Sequence, residues 1–188
     1  KLFPTNSIGV VTGDDKKAIH FSYEDARTIS EKNEIETNQI YSTSYHPFDK
    51  KFIIFNKELI TRNRIKVTRH LLDTNNLSLI FTRATSNKKP FNHVFITNDI
   101  TIARFYTDAS CVPYFAPLYL VPEKLDKTLL NQTTIRVPNF HKDIIDRIEK
   151  ITNLTFTPEK EETENTFAPV DLLDYIYAVL HSPAYREK

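Results

Sequence analysis

The chain has 188 residues, 40% hydrophobic and 12% aromatic, which is enough apolar material for one packed domain. Its single cysteine, Cys111, excludes an internal disulfide and any zinc site built on several thiolates, and fits a reduced intracellular compartment. The net charge is only +1, and no apolar run approaches the roughly 20 residues of a membrane span; the longest, FAPLYLVP, holds two prolines.

Glycine occurs twice and proline ten times, so turns must rest on Pro, Asn and Asp. No methionine occurs at the first position or elsewhere, which points to a fragment of a longer chain. SIGVVTG (7–13) predicts a short buried strand, with KAIHFS (17–22) as a possible partner. SYEDARTISEKN (22–33) predicts a helix capped through Ser22 and Asp25. QIYSTSYH and KKFIIFNKEL are strand candidates on either side of an HPFD turn at 46–49. Residues 61–73, which contain RNRIKVTRH, predict a helix.

LSLIFTRAT (77–85) predicts a strand entered through an Asn75–Asn76 turn, followed by a SNKKPFN loop and a second strand, HVFITN (93–98). YFAPLYLVP (114–122) predicts a proline-interrupted edge strand. In NFHKDIIDRIEKITN (139–153), Ile144, Ile145, Ile148 and Ile151 have helical spacing, with Asn139 as N-cap. TPEKEETENT (157–166) is acidic and loop-like. A second helix spans 168–181 with Pro169 in its first turn, and a further helical turn follows Pro183. The expected fold class is α/β (α+β): a mixed, β-rich body over 1–125 with a short basic helix, then a helical C-terminal part over 136–188, all in one domain.

Charge is uneven along this order. Residues 49–89 carry ten cations against Asp49, Glu58 and Asp73, a local +7 that leaves −6 for the remainder. A basic middle in an acidic frame is the footprint of a nucleic-acid-binding face; the alternative is a solvated surface with uneven charge. On a helix over 61–73, Arg62, Lys66 and Arg69 would share a stripe of about 60°, beside an apolar face of Ile65, Thr68 and Leu72. Like charges at that spacing repel, and phosphates would relieve them.

Catalytic constellations are missing. GVVTG is the sole candidate for the glycine-rich turn of an S-adenosylmethionine site, and it matches poorly. SPAY (182–185) only superficially resembles the tetrapeptide of amino-methyltransferases, and reads as a joint between helices. Acid–x–Lys triplets in DDKK (14–17) and DKK (49–51) lack a partner acid for a metal-dependent nuclease. The histidines at 20, 46, 70, 93, 141 and 181 have no metal-ligand spacing. We therefore expect no catalytic residue, no metal and no cofactor within this chain.

The ordered set LFPTNSIGVVTGDDK, YHPFDKKFIIF, RNRIKVTRHLL, LSLIFTR, FNHVFITN, FAPLYLVP and VDLLDYIYAVLHSPAYREK resembles the C-terminal region of single-chain restriction–modification proteins. These are the Type ISP family and related adenine-specific DNA methyltransferases. Asn63 stands where members usually have proline, and Thr68 where they often have methionine. The resemblance implies a target-recognition (specificity) domain spanning 1–188, preceded in a bacterial cytoplasmic protein by a methyltransferase domain that holds S-adenosylmethionine. It implies double-stranded DNA as partner and no membrane. Phosphate contacts are expected from Lys50, Lys51, Arg62, Lys66 and Arg69. Base contacts are expected among Arg64, Arg83, Asn87, Lys88 and Asn92, whose side-chain types pair with base edges or neighbouring phosphates. The alternative is a structural domain that docks on the methyltransferase with an incidental basic face.

Overall fold

The computed structural model describes residues 1–83, 93–106, 111–122 and 136–187. In chain order the strands are β1 (Ser7–Ile8), β2 (Val11–Thr12), β3 (Ile19–His20), β4 (Ile40–His46), β5 (Asp49–Ile54), β6 (Ile60–Arg62), β7 (Ser78–Thr82), β8 (Val94–Thr97), β9 (Ile100–Thr101), β10 (Pro113–Pro117), β11 (Tyr119–Leu120), β12 (Val137–Pro138), β13 (Thr155–Phe156) and β14 (Thr166–Phe167). The helices are α1 (Asp15–Ala18), α2 (Tyr23–Lys32), α3 (Ile65–Thr68), α4 (Lys142–Thr152), α5 (Pro169–His181) and α6 (Pro183–Arg186). The fold is mixed α+β, as the sequence predicts.

Two four-stranded sheets organise it. The first runs β1-β10-β7-β8 and is antiparallel throughout. The second runs β3-β5-β4-β9, with β4 and β9 parallel. Successive side chains of a strand point to opposite faces, and in β7 both faces are covered. Leu79 packs with Ala116, Leu118, Phe3 and Leu173 of α5. Its neighbour Ile80 packs with Phe115, Val67, Leu71, Phe105 and Cys111. Burial on both sides explains why Leu79, Ile80 and Phe81 follow one another without a polar residue between them. In the second sheet Ile53 joins Val10, Ala18, Ile60 and Ile100, while Ile54 meets Ala26 of α2 and Ile40.

Local chemistry accounts for the elements on which sequence and structure agree. The amide of Asp25 donates to Ser22 Oγ at 3.1 Å, capping α2. At α5, Pro169 opens the first turn and the Ala168 amide donates to Asp171 Oδ2 at 2.9 Å. Ser182 closes α5 and caps α6, so SPAY is a joint between helices.

Several expectations fail for tertiary reasons. Residues 17–22 do not pair with 7–13; β1 pairs with β10, β2 with β6 and β3 with β5. YFAPLYLVP is interrupted at Pro117 as expected, but its first half is not at an edge: β10 lies between β1 and β7, while Tyr119–Leu120 forms β11, paired with β12 in a two-stranded sheet. Asn139 does not cap α4, whose N-cap is His141. Instead Asn139 is buried; its Oδ1 accepts from the Thr5 amide at 3.0 Å, and its Nδ2 reaches the carbonyls of Thr5 and Pro117 at 2.7 and 2.8 Å. It ties the start of the chain to the end of β10. Finally, 61–73 is not one helix: β6 ends at Arg62, α3 covers only Ile65–Thr68, and turns follow.

Candidate nucleic-acid interface

The basic stretch 62–70 divides into two parts with different jobs. Arg62 ends β6, paired with Val11. Asn63 and Arg64 then turn the chain sharply, and Arg64 sits in the left-handed region at φ 53°. The corner is held from several sides. Asn63 Oδ1 accepts from the Ile65 amide at 3.1 Å, and Thr68 Oγ1 donates to the Asn63 carbonyl at 2.9 Å. The Arg64 carbonyl accepts the amides of Val67 and Thr68, opening α3. Val67 and Thr68 are buried, so the side chains of Ile65 and Lys66 are turned outward.

The second part, Arg69–His70, faces inward. The Val121 amide donates to His70 Nδ1 at 2.8 Å, and Arg69 Nη1 donates to the Val121 carbonyl at 2.8 Å. Asn76 Nδ2 spans the carbonyls of His70 and Tyr119 at 2.9 and 2.8 Å. His70 is only 2% exposed. Burial, with the neighbouring Arg69 charge adding to it, lowers its pKa to about 4, against a backbone hydrogen bond with Lys66 that acts the other way. The imidazole is therefore neutral at pH 7, an acceptor that clamps the segment after β10. Arg69 leaves the expected stripe because its head group is committed to this clamp.

Around the outward part lies a groove of about 570 Å³ lined by Asn6, Ser7, Lys57, Arg62, Arg64 and Lys66, among others. Arg62 and Lys66 are exposed and form no ion pair among the described residues. Arg64 is half-buried, and its Nε is buried without a hydrogen-bond partner among them. Asn6 also borders a second groove of about 340 Å³ that contains Lys1 and Arg83. Arg83 stacks 3.9 Å over the Tyr114 ring and donates from Nη2 to Asn6 Oδ1 at 2.7 Å. No described residue lining either groove is a carboxylate. The two grooves thus adjoin at Asn6 and gather six cations from parts of the chain far apart in sequence.

Lys50 and Lys51 belong elsewhere. Lys50 Nζ lies 3.0 Å from the buried Asp99 carboxylate. Lys51 lies over the rings of Tyr45 and Phe21 at 3.8 and 4.5 Å and pairs with Asp49 at 3.6 Å, leaving its side chain 15% exposed. Asn87, Lys88 and Asn92 lie outside the described residues. Sequence reasoning misses Lys57 and the contribution of Asn6 and Ser7. The signal for Lys57 is present in the charge count, but nothing local shows that β1 lies beside the basic corner.

No group of three or more His, Cys, Asp or Glu among the described residues could hold a metal ion. No helix among them is long and apolar enough to cross a membrane.

The family model for the Type ISP C-terminal specificity domain matches residues 25–188. The chain belongs to this family. This specificity domain also shares its fold with solved structures. One is the cryoEM structure of a DrdV–DNA complex, with a TM-score of 0.71 at 19% identity. A second is the ATP-dependent Type ISP restriction-modification enzyme LlaBIII bound to DNA, with a TM-score of 0.68 at 18% identity. A third is a nuclease-deletion mutant of the Type ISP enzyme LlaGI in complex with a DNA substrate mimic, with a TM-score of 0.62 at 16% identity. Each likeness covers 100% of this specificity domain but only 20%, 13% and 19% of the respective solved chain. No curated protein matches it.

Proposed function

We propose that this chain is the sequence-specific DNA-recognition module of a restriction–modification protein, and that it directs adenine methylation to a target sequence without catalysing it. The observation that carries the reading is the acid-free pair of grooves around Asn6, where Lys1, Lys57, Arg62, Arg64, Lys66 and Arg83 converge. Cations gathered on a concave surface with no carboxylate between them suit a polyanion. The DNA-bound state of the solved fold relatives supports the same reading. Arg62 and Lys66 are the proposed phosphate contacts, joined by Lys57. Arg64 and Arg83, and beyond the described residues Asn87, Lys88 and Asn92, are the proposed base contacts. Lys50, Lys51 and Arg69 have other partners and are secondary in this reading.

The parent protein we propose is a bacterial, cytoplasmic adenine-N6 methyltransferase with restriction activity. Its methyltransferase domain would precede this one, supply the S-adenosylmethionine site and be the intramolecular partner. Within this chain, residues 1–125 would form the body and 136–188 the C-terminal part of one domain.

Duplex DNA binding titrated against salt tests the assignment. Each phosphate contact contributes a log–log slope of about −0.9. The Arg62→Ala/Lys66→Ala double variant is expected to shallow the slope by about two units while its melting temperature stays unchanged. Absence of any duplex binding at low salt overturns the reading.

A further inference from the structure

The hairpin joining β4 to β5 ends in a two-residue tip, Pro47–Phe48, between the paired residues His46 and Asp49. Pro47 takes the second place of the turn and Phe48 the third, at φ 63°. This is the pattern of a type II turn, whose third place favours glycine because only a residue without Cβ adopts that backbone freely. A bulky aromatic residue there is strained. It is also 99% exposed, the highest value among the exposed large hydrophobic residues. Neither feature helps the chain fold, and strain combined with exposure at one residue points to a role outside folding.

The ring sits at the rim of an aromatic cluster. Its edge meets Phe95 at a centroid distance of 5.8 Å and an interplanar angle of 79°. Phe95 is in turn packed on Phe105 at 5.3 Å and on Tyr106 at 6.2 Å. His46 Nδ1 bonds to the Phe105 carbonyl at 3.1 Å, which ties the hairpin to the same aromatic pedestal. Behind the tip Lys51 lies over Tyr45 and pairs with Asp49, so the one carboxylate next to Phe48 is neutralised.

We propose that Phe48 is a stacking wedge that enters the base stack of duplex DNA. The inference rests on the DNA-recognition reading given above and deepens it, by naming the part of DNA this hairpin meets: the faces of bases, as distinct from phosphates or base edges. A protein partner would call for a contiguous apolar patch with charge depleted at its centre. Around Phe48 the polar and charged residues His46, Asp49 and Lys50 break up such a patch, and Lys51 lies over the other strongly exposed ring nearby, Phe21. A single exposed ring at the tip of a narrow hairpin is what insertion between bases requires.

Binding of the protein to two duplexes of one arbitrary sequence, about three helical turns long, tests this; one duplex is intact and the other carries a central abasic site. Stacking into an already weakened step costs less unstacking. The wild type is expected to prefer the abasic duplex by about tenfold, within the range for base–aromatic stacking. Phe48→Ala and Phe48→Gly should bind both duplexes alike, and Phe48→Trp should keep the preference. Phe48→Gly should also melt at a higher temperature, so its loss cannot come from unfolding. If Phe48→Ala keeps the wild-type preference, or the wild type binds both duplexes alike, the wedge is wrong and a contact with another protein segment takes its place, while DNA recognition stands. If the wild type binds neither duplex at low salt, the wedge and the DNA reading fall together.

Discussion

At pH 7 the His70 imidazole is uncharged, because its Nδ1 must accept from the Val121 amide and a second cation would be buried beside Arg69. Its folded pKa, about 4, lies below the unfolded value of about 6.5. The unfolded chain therefore takes up the proton first as pH falls. The stability linked to His70 is complete above about pH 6.5 and is lost progressively toward pH 4. Between pH 7 and pH 5 the loss should be about 2 kcal/mol. Urea melts at the two pH values measure it, and His70→Gln should lower stability at both but remove most of the difference. Glu159 and Asp171, whose pKa values are lowered by Arg136 and Lys160 respectively, act only further into acid. Phe48 gives a second prediction at this scale. Glycine accepts its positive φ without strain, so Phe48→Gly should gain about 1 kcal/mol in denaturant melts. The gain would be made at the residue proposed to serve DNA, a trade of function against stability.

Elements whose signals are local are legible in the sequence. Helix α2 carries its own Ser22 cap, and the β4–β5 hairpin carries its own proline turn. Replacing Ser22 with Ala should cost about 1 kcal/mol, measured by thermal melts. The segment 61–73 departs from its helical pattern because periodicity alone does not hold a helix that contains Asn63, His70 and the β-branched Ile65, Val67 and Thr68. Arg62 is drawn into a strand by Val11, and the corner at Arg64 breaks the periodicity. Asn139 departs for the opposite reason: a residue that suits an N-cap is recruited, two places before the helix cap, by distant backbone groups. Asn139→Ala removes three hydrogen bonds at a buried site and should cost about 3 kcal/mol, seen as a lower urea midpoint with unchanged steepness.

At the scale of the molecule, the first sheet is covered on one face by Leu173 of α5 and on the other by Val67 and Leu71. That second contact fixes how the basic segment lies. Val67 and Leu71 enter the core, the Arg69–His70 pair grips Val121, and Arg62, Ile65 and Lys66 are left facing out beside β1. Arg69→Ala should accordingly cost about 2 kcal/mol of stability, through loss of its bond to Val121, and leave the salt slope of DNA binding unchanged. The opposite outcome, an altered slope at unchanged stability, would return Arg69 to the phosphate-binding set. The sequence by itself determined the mixed fold class, the family, the capped helices and the concentration of charge between 49 and 89, because composition, caps and turn chemistry act over a few residues. Which cations share a surface was decided only by tertiary structure. Pairing of β2 with β6 sets the corner at Arg64 beside Ser7 of β1, the buried Asp99 takes Lys50, and Val121 takes Arg69, and no local pattern records those distances.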